Sequence, residues 1–297
     1  MSPLAGLLAA FIAFLAWGFG DFAIQRSVRA VGAVPALFFI GTFGLFGLLP
    51  FVWSDISLFF RQSNLVMLFG FTGIVTFVYS IFLFKSLGLG KLSVIEPVMS
   101  FELPITIAIG IIIVGEKITS FQLLLAIIIF IGLIITVIHH EPRRWWHFLR
   151  KQPLLERGVI LAGIATVLSA MTNVFTGILS QHSKPLLAIW GIHTALAILC
   201  LLWMIIRKEV RTSFLHAKKH WRPIVIQGIF DNLAWVAYAT AVLVIPISIT
   251  IAITESYIAL AALLGIIINK ERLQRHQYAG IIITLVAAIT LAVVSET

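Results

Sequence analysis

The sequence predicts an all-α integral membrane protein whose ten transmembrane helices form two inverted five-helix repeats. Three observations carry that expectation. Of the 297 residues, 60% are apolar and only 11% charged, whereas a soluble domain carries about 25% charged residues. The apolar residues gather into ten runs, at 4–24, 34–53, 65–87, 92–114, 121–138, 158–180, 185–206, 224–243, 247–268 and 277–294. Each run is near the roughly 20 residues a helix needs to cross the hydrocarbon core, and is too long for a barrel strand. Finally, the stretch Gly110 to Gln122, GIIIVGEKITSFQ, returns 155 positions later as Gly265 to Gln277, GIIINKERLQRHQ.

The same offset pairs Gly73 with Gly228, Ser93 with Ser248 and Glu116 with Glu271. Isoleucines match cheaply in such a composition, so the weight rests on the glycine, serine, glutamate and glutamine pairs. Five spans per copy is an odd number, so the second copy crosses the membrane in the opposite sense. The expected units are 1–138 and 158–297, joined by a basic linker at 139–157. All other connections are short, which leaves no room for a soluble catalytic or regulatory domain.

Several function classes fall away at this level. The first run has no basic residue before it and no small-residue cleavage pattern, so it reads as a retained helix and not a signal peptide. Cys200 is the single cysteine, which excludes an intramolecular disulfide and a Cys-rich metal site. The formal charge of +9 sits in loops between apolar runs, where a membrane surface explains it better than nucleic acid does. No zincin histidine pair, phosphate-cradling glycine loop or nucleophile elbow is present, so neither enzyme activity nor a metal or cofactor is expected.

The polar residues inside apolar runs are the candidates for function, because a buried ionisable group in a membrane needs a compensating role. In the first run Trp17, Asp21 and Gln25 recur at spacing four and share a face. Asp21 suits an inward face and the membrane interface beside Arg26 and Arg29 equally. The second run is almost purely apolar and reads as lipid-facing packing. The third carries Thr72, Thr76 and Tyr79, the two threonines being expected as interhelical hydrogen-bonders.

The fourth run holds Glu96 and Glu102 with Pro97 and Pro104. Glu102 lies about 15 Å from Leu92 at 1.5 Å per residue, near the bilayer centre, and Glu96 lies near the interface beside Lys91. The linker, with Trp145 and Trp146, reads as an amphipathic segment on anionic headgroups. The sixth run has the stripe Thr166, Ser169, Asn173, Thr176 and Ser180, of which Asn173 has the hydrogen-bonding capacity to engage a ligand. The seventh offers Trp190 and His193, a histidine that suits a structural hydrogen bond better than a metal or relay role. Asp231, Trp235 and Tyr238 form the polar stripe of the eighth run, and Thr254, Glu255 and Tyr257 that of the ninth. Glu116 and Glu271 fall in turns, where they read as helix-end determinants pairing with Lys117 and Arg272.

These residues resemble the drug/metabolite transporter superfamily, and within it the EamA-type members built from two five-helix repeats. The resemblance rests on Trp17-Gly18, on Lys91-Leu92-Ser93 leading into Pro97, and on Gly115-Glu116-Lys117 followed by Gln122 and Gly132. Asn269-Lys270-Glu271-Arg272 with Gln277 is the second copy. Lys270 in place of Gly115 and Ala252 in place of Pro97 depart from the pattern. The resemblance implies a secondary carrier in the cytoplasmic membrane, exporting a small polar or cationic solute by alternating access; an uptake carrier or a non-transporting receptor or scaffold is the alternative. The expected site lies between Glu102 and Glu255, walled by Trp17, Tyr79, Asn173, His193, Asp231, Trp235 and Tyr257. Its partners are a small solute, the lipid bilayer and, on the same carboxylates, a coupling proton.

Of the 21 Lys and Arg residues, 18 lie at the connections that follow odd-numbered runs, against Arg61, Lys117 and Lys184 at the even ones. The positive-inside rule then places the odd connections in the cytoplasm and both termini outside, although the resemblance implies cytoplasmic termini. A C-terminal alkaline phosphatase fusion is expected to be active and a C-terminal fluorescent protein dark. The opposite pattern rejects this orientation.

Overall fold

The computed structural model describes residues 2–59, 63–89, 95, 98–137, 153–260 and 274–295. Among them every regular element is helical. In chain order these are α1 (Pro3–Val31), α2 (Ala33–Phe59), α3 (Ser63–Leu89), α4 (Glu102–Ile109, continuing as a π-helical turn Gly110–Val114), α5 (Ser120–Val137), α6 (Pro153–His182), α7 (Pro185–Ile206), α8 (Val210–Lys219), α9 (Trp221–Ala241), α10 (Ile247–Glu255) and α11 (Arg275–Val294). Among the described residues seven helices are long and apolar enough to cross a membrane, namely α1, α2, α3, α6, α7, α9 and α11. Three further apolar helices, at Glu102–Val114, Ser120–Thr136 and Ile247–Leu260, are shorter within the described residues. Glu96, Pro97, most of the linker and Glu271 with its neighbours lie outside them.

The sequence reading needs two adjustments here. Residues 153–157 of the expected linker are already helical, as the first turns of α6. The connection after the seventh run, read only as a cluster of positive charge, contains α8. Its buried face is Ser213 and Ala217, one turn apart, while Arg211, Phe214, Leu215, Lys218 and Lys219 are exposed. That division suits a helix lying across the ends of the bundle at the interface. Beside it, Lys85 and Arg207 stand 5.9 and 5.6 Å from the Trp203 ring centroid.

Helices of one copy pack chiefly on helices of the other. The principal pairs are α1 with α9, α3 with α6, α2 with α7, and α5 with α11. The first two pairs exchange under the 155-residue offset, and the last two join equivalent helices. Both equivalent pairs run antiparallel. In α2 and α7, Asp55 meets Lys184 at 2.7 Å, and Trp190 Nε1 donates to Leu45 O at 3.1 Å. In α5 and α11, Gln122 Nε2 donates to Ser295 Oγ (3.2 Å) at one end and Gln277 Nε2 to Thr136 O (3.0 Å) at the other. Between those ends a methyl group on Gly132 would fall 2.4 Å from Thr284 Oγ1, and one on Gly280 would fall 2.5 Å from Thr136 N. The two backbones are in contact, as small residues at membrane helix interfaces allow.

The repeated stretch around Glu116 now has a physical explanation. After the π-helical turn, Gly115 takes φ 76°, in the left-handed region that favours glycine. The chain reverses there and Glu116 reaches the start of α10 in the other half. Its Oε1 accepts from Ile247 N at 2.5 Å, and its Oε2 accepts from Ser248 N at 3.0 Å and Ser248 Oγ at 2.5 Å. Pro246 precedes these amides and supplies no capping side chain, so a carboxylate from the opposite copy fills that role and opposes the positive end of the helix dipole. Pairing with Lys117, the expectation from sequence, is not what the carboxylate does. Replacing Glu116 by Gln turns an amide NH2 toward one of the two backbone N–H groups, of Ile247 or of Ser248, that its oxygens now serve. The variant is expected to lose about 1–3 kcal/mol of stability and to express poorly, as read by thermal unfolding of purified protein. Unchanged unfolding temperature and yield would refute the capping role.

Candidate functional site

The two carboxylates that the sequence places deepest both sit where a helix is broken. On the first copy, residues 100–101 form a turn, with Phe101 N bonded to Val98 O and Leu103 N to Ser100 O, both at 3.3 Å. Glu102 then opens α4. Pro104 falls in the first turn of that helix, where the missing N–H leaves no bond unmade. On the second copy Glu255 closes α10 and Ser256 forms the turn, with Ser256 N bonded to Ile253 O (3.3 Å) and Ala259 N to Ser256 O (3.0 Å). Residues 100 and 255 are equivalent under the offset, so both copies change to i→i−3 bonding at the same place. Irregular backbone at membrane depth is tolerated where it is buried or lines a cavity.

Here it lines a cavity. All nine sequence-derived candidates, Trp17, Tyr79, Glu102, Asn173, His193, Asp231, Trp235, Glu255 and Tyr257, stand on the wall of one space between α1, α2, α3, α4, α6, α7, α9 and the segment after α10. The space open to the centres of water molecules is ≈ 70 Å³, and a single water needs about 10–15 Å³ on that measure. Several waters, or a small solute in their place, therefore fit. The aromatic side is compact. Trp17 meets Trp235 edge-on at 5.3 Å between ring centroids, with Tyr257 at 6.4 Å. Tyr238 stands behind them, 5.9 Å from Trp17, and donates to Asn173 O at 3.1 Å.

The carboxylates are individually served. Asn173 Nδ2 donates to Glu102 Oε1, and Ser169 bridges Glu102 and Tyr79 by hydrogen bonds. Asp21, equally suited to the interface on sequence grounds, lies on the cavity wall and is hydrogen-bonded to Tyr257. Asp231 Oδ2 stands 3.9 Å from His193 Nε2. Among the described residues Lys and Arg are absent from the lining, so there four carboxylates face the space with an imidazole as the potential cation.

Three readings of individual elements change. The second run is more than lipid-facing filler. Leu37 and Ile40 of α2 line the cavity, and its carbonyls accept from the other copy, Ala36 O from Gln227 (2.9 Å) and Ile40 O from Asn232 (3.1 Å). Thr72 bonds within its own helix, to Leu68 O at 2.8 Å, and makes no interhelical bond among the described residues. Thr76 lines the cavity with a buried hydroxyl that has no partner among the described residues. Sequence reasoning passed over Ser169 as packing and missed Asn232 altogether. An amide beside Asp231 in an apolar run was the available signal.

A multi-pass helical bundle that encloses a charged and aromatic cavity has the architecture of a membrane transporter. The model of the EamA-like transporter family matches residues 4–138 and again 156–293, and the chain belongs to that family. No curated protein matches the sequence. One solved crystal structure, 16% identical, aligns with a TM-score of 0.73 over 98% of this chain and 99% of its own, a likeness of fold.

The tightest packing at the site is testable by a matched pair of variants. A methyl group on Gly44 of α2 would fall 2.4 Å from His193 Nδ1 and 2.5 Å from Asn232 Oδ1, whereas one on Gly47 meets nothing within 4 Å. Gly44→Ala is expected to destabilise the purified protein by roughly 1–3 kcal/mol through overpacking. Gly47→Ala should be neutral or gain up to about 1 kcal/mol from helix propensity. Thermal unfolding of the two side by side separates them.

Proposed function

We propose that the chain is a secondary carrier that exports a small amine-bearing or otherwise cationic solute across the cytoplasmic membrane by alternating access. The observation that carries this reading is the composition of the cavity wall: Asp21, Glu102, Asp231 and Glu255 with no Lys or Arg among the described residues, together with Trp17, Trp235 and Tyr257. Each carboxylate at the bilayer centre costs about 2.5–3.5 kcal/mol on insertion scales, so four around one space call for a cation to offset them. Aromatic faces attract the same kind of ligand. Ten spans in two inverted five-helix units, 1–138 and 158–297, are the architecture we infer. The antiparallel packing of α2 on α7 and of α5 on α11 supports it, because only inverted copies bring equivalent helices together in that sense.

Orientation follows from charge. Lys184, on the face poor in basic residues, is paired with Asp55 at 2.7 Å, whereas Lys85, Arg207, Arg211, Lys218 and Lys219 stand exposed at the opposite ends of the helices. The cavity wall runs along α1 from Trp17 to Ile24 and along α3 from Thr76 to Leu87, toward that basic face. With the basic face cytoplasmic, a cytoplasmic solute loads from that side.

Reconstitution decides the matter. Wild-type protein in proteoliposomes is expected to move radiolabelled organic cations or amines from a metabolite panel, with a rate that responds to a pH gradient. Glu102→Gln and Glu255→Gln are each expected to abolish that transport while the protein stays folded and inserted. Wild-type rates in the double Gln variant, with and without the gradient, would overturn the mechanism. Transport confined to the inward direction would turn the reading to an uptake carrier.

A further inference from the structure

Glu102 and Asp21 take their hydrogen bonds from Asn173, Ser169 and Tyr257, groups that keep their protons near neutral pH. Asp231 differs, because the side chain it faces titrates. His193 is 2% exposed, and its two ring nitrogens have separate surroundings. Nδ1 lies 2.6 Å from Asn232 Oδ1. The orientation of that amide is fixed from its other end, since Asn232 Nδ2 donates to Ile40 O at 3.1 Å and to Gly228 O at 2.8 Å. Oδ1 is therefore an acceptor, and Nδ1 must carry a hydrogen. Gly44 packs against both ring and amide, which keeps the imidazole from turning over.

The consequence falls on Nε2. In the neutral Nδ1–H tautomer it presents a lone pair, and 3.9 Å away is Asp231 Oδ2. An ionised carboxylate and an imidazole lone pair at that separation on a cavity wall are two acceptors, and the hydrogen they need comes from cavity water or from one additional proton, on Nε2 as imidazolium or on the carboxyl of Asp231. The surroundings favour keeping that proton while the cavity is empty of cations. Asp21 from α1 interacts electrostatically with Asp231, and Tyr79, Glu102, Glu255 and Tyr257 face the same space from α3, α4 and the two sides of the second break. From α2, Leu37 and Ile40 line the same space and the backbone at Gly44 packs on the imidazole, none of them titratable.

We propose, resting on the carrier reading above, that His193 and Asp231 hold one exchangeable proton between them, and that a cationic solute binding at Asp231 displaces it. The exchange balances. The solute brings one positive charge and engages the Asp231 carboxylate. The proton leaves Nε2 or Asp231 for water in the cavity, and His193 remains neutral with Nδ1–H still donating to Asn232. A monovalent cation thus replaces a proton at this point, the wall itself becoming one unit more negative while the wall together with its bound solute keeps the same net charge. Asn232 is the positioning residue, since it decides which nitrogen faces Asp231.

The test reads the imidazole directly and does not depend on knowing the solute. In nanodiscs carrying protein with ¹⁵N-labelled histidine, the His193 signals are identified by their loss in His193→Gln. They are expected to show a protonated Nδ1 at every pH and an Nε2 signal that titrates. In Asp231→Asn that titration should move by at least one pH unit, and in Asn232→Leu the fixed tautomer should give way to a mixture. Proton release on adding tetraethylammonium is the second measurement. About one proton per bound cation is expected for wild type and none for Asp231→Asn. An Nε2–H tautomer in wild type, or an Nε2 titration unmoved by Asp231→Asn, overturns the proposal whether or not tetraethylammonium binds. A correct imidazole titration together with no transport of any solute leaves the proton site standing and removes the carrier reading.

Discussion

Lipid tails are as apolar as leucine, so burying apolar side chains gives these helices no reason to leave the bilayer for one another. What holds them must be close backbone packing and hydrogen bonds that cross between helices. The apolar second helix illustrates this. Near its end Asp55 pairs with Lys184, and elsewhere its backbone serves the other copy, the carbonyls of Ala36 and Ile40 receiving the amides of Gln227 and Asn232. Glu116 does the same for the start of α10. Each such contact spans the two copies, so polar interactions at a few points fix how the halves meet, within an apolar core to which both contribute, Leu103 and Leu133 from one and Ile251 and Leu291 from the other.

The cavity follows from the same constraint. A break in a membrane helix frees backbone groups that need partners, and two breaks at equivalent positions create a polar zone without any insertion or loop. Glu102 begins one helix and Glu255 ends another, so the two carboxylates see opposite ends of helix dipoles, one favourable and one not. The repeats therefore supply a symmetric scaffold and an asymmetric electrostatic wall. A solute with a charged end and an apolar end meets different surroundings on the two sides, with Trp17 and Trp235 placed on one of them.

Much of this was legible in the chain. Apolar run lengths gave the seven long helices their positions to within a few residues at most ends. Polar residues inside those runs gave nine positions that share one cavity, because in a membrane such residues have few places to go. Partnership was not legible. Glu116 and Ser248 are 132 positions apart, and His193 and Asn232 39 apart, and hydrophobic periodicity says nothing about which faces meet. The first break was signalled by Pro104, but the second, at Ser256, has no proline and relies on hydroxyl bonds such as Ser256 Oγ to Ala252 O (3.1 Å). Helix α8 was hidden by its charge, since a run of basic residues reads as a loop until the burial of Ser213 and Ala217 is known.

The seam between α5 and α11 reaches furthest. Its terminal glutamines, Gln122 and Gln277, occupy corresponding positions of the two copies, whereas its close-packing glycines do not, Gly132 matching Ala287 and Gly280 matching Leu125, so the two inverted surfaces still correspond at their ends and differ between them. A gene encoding a single copy would place that same surface on every chain it made. Two such chains, inserted in opposite directions, would find in each other the partner that the second half provides here. Fusion of the copies replaces an encounter that depends on concentration with one that is permanent. It also releases the two halves to diverge, which is how one wall of the cavity came to carry Glu102 while the corresponding position of the other carries Tyr257.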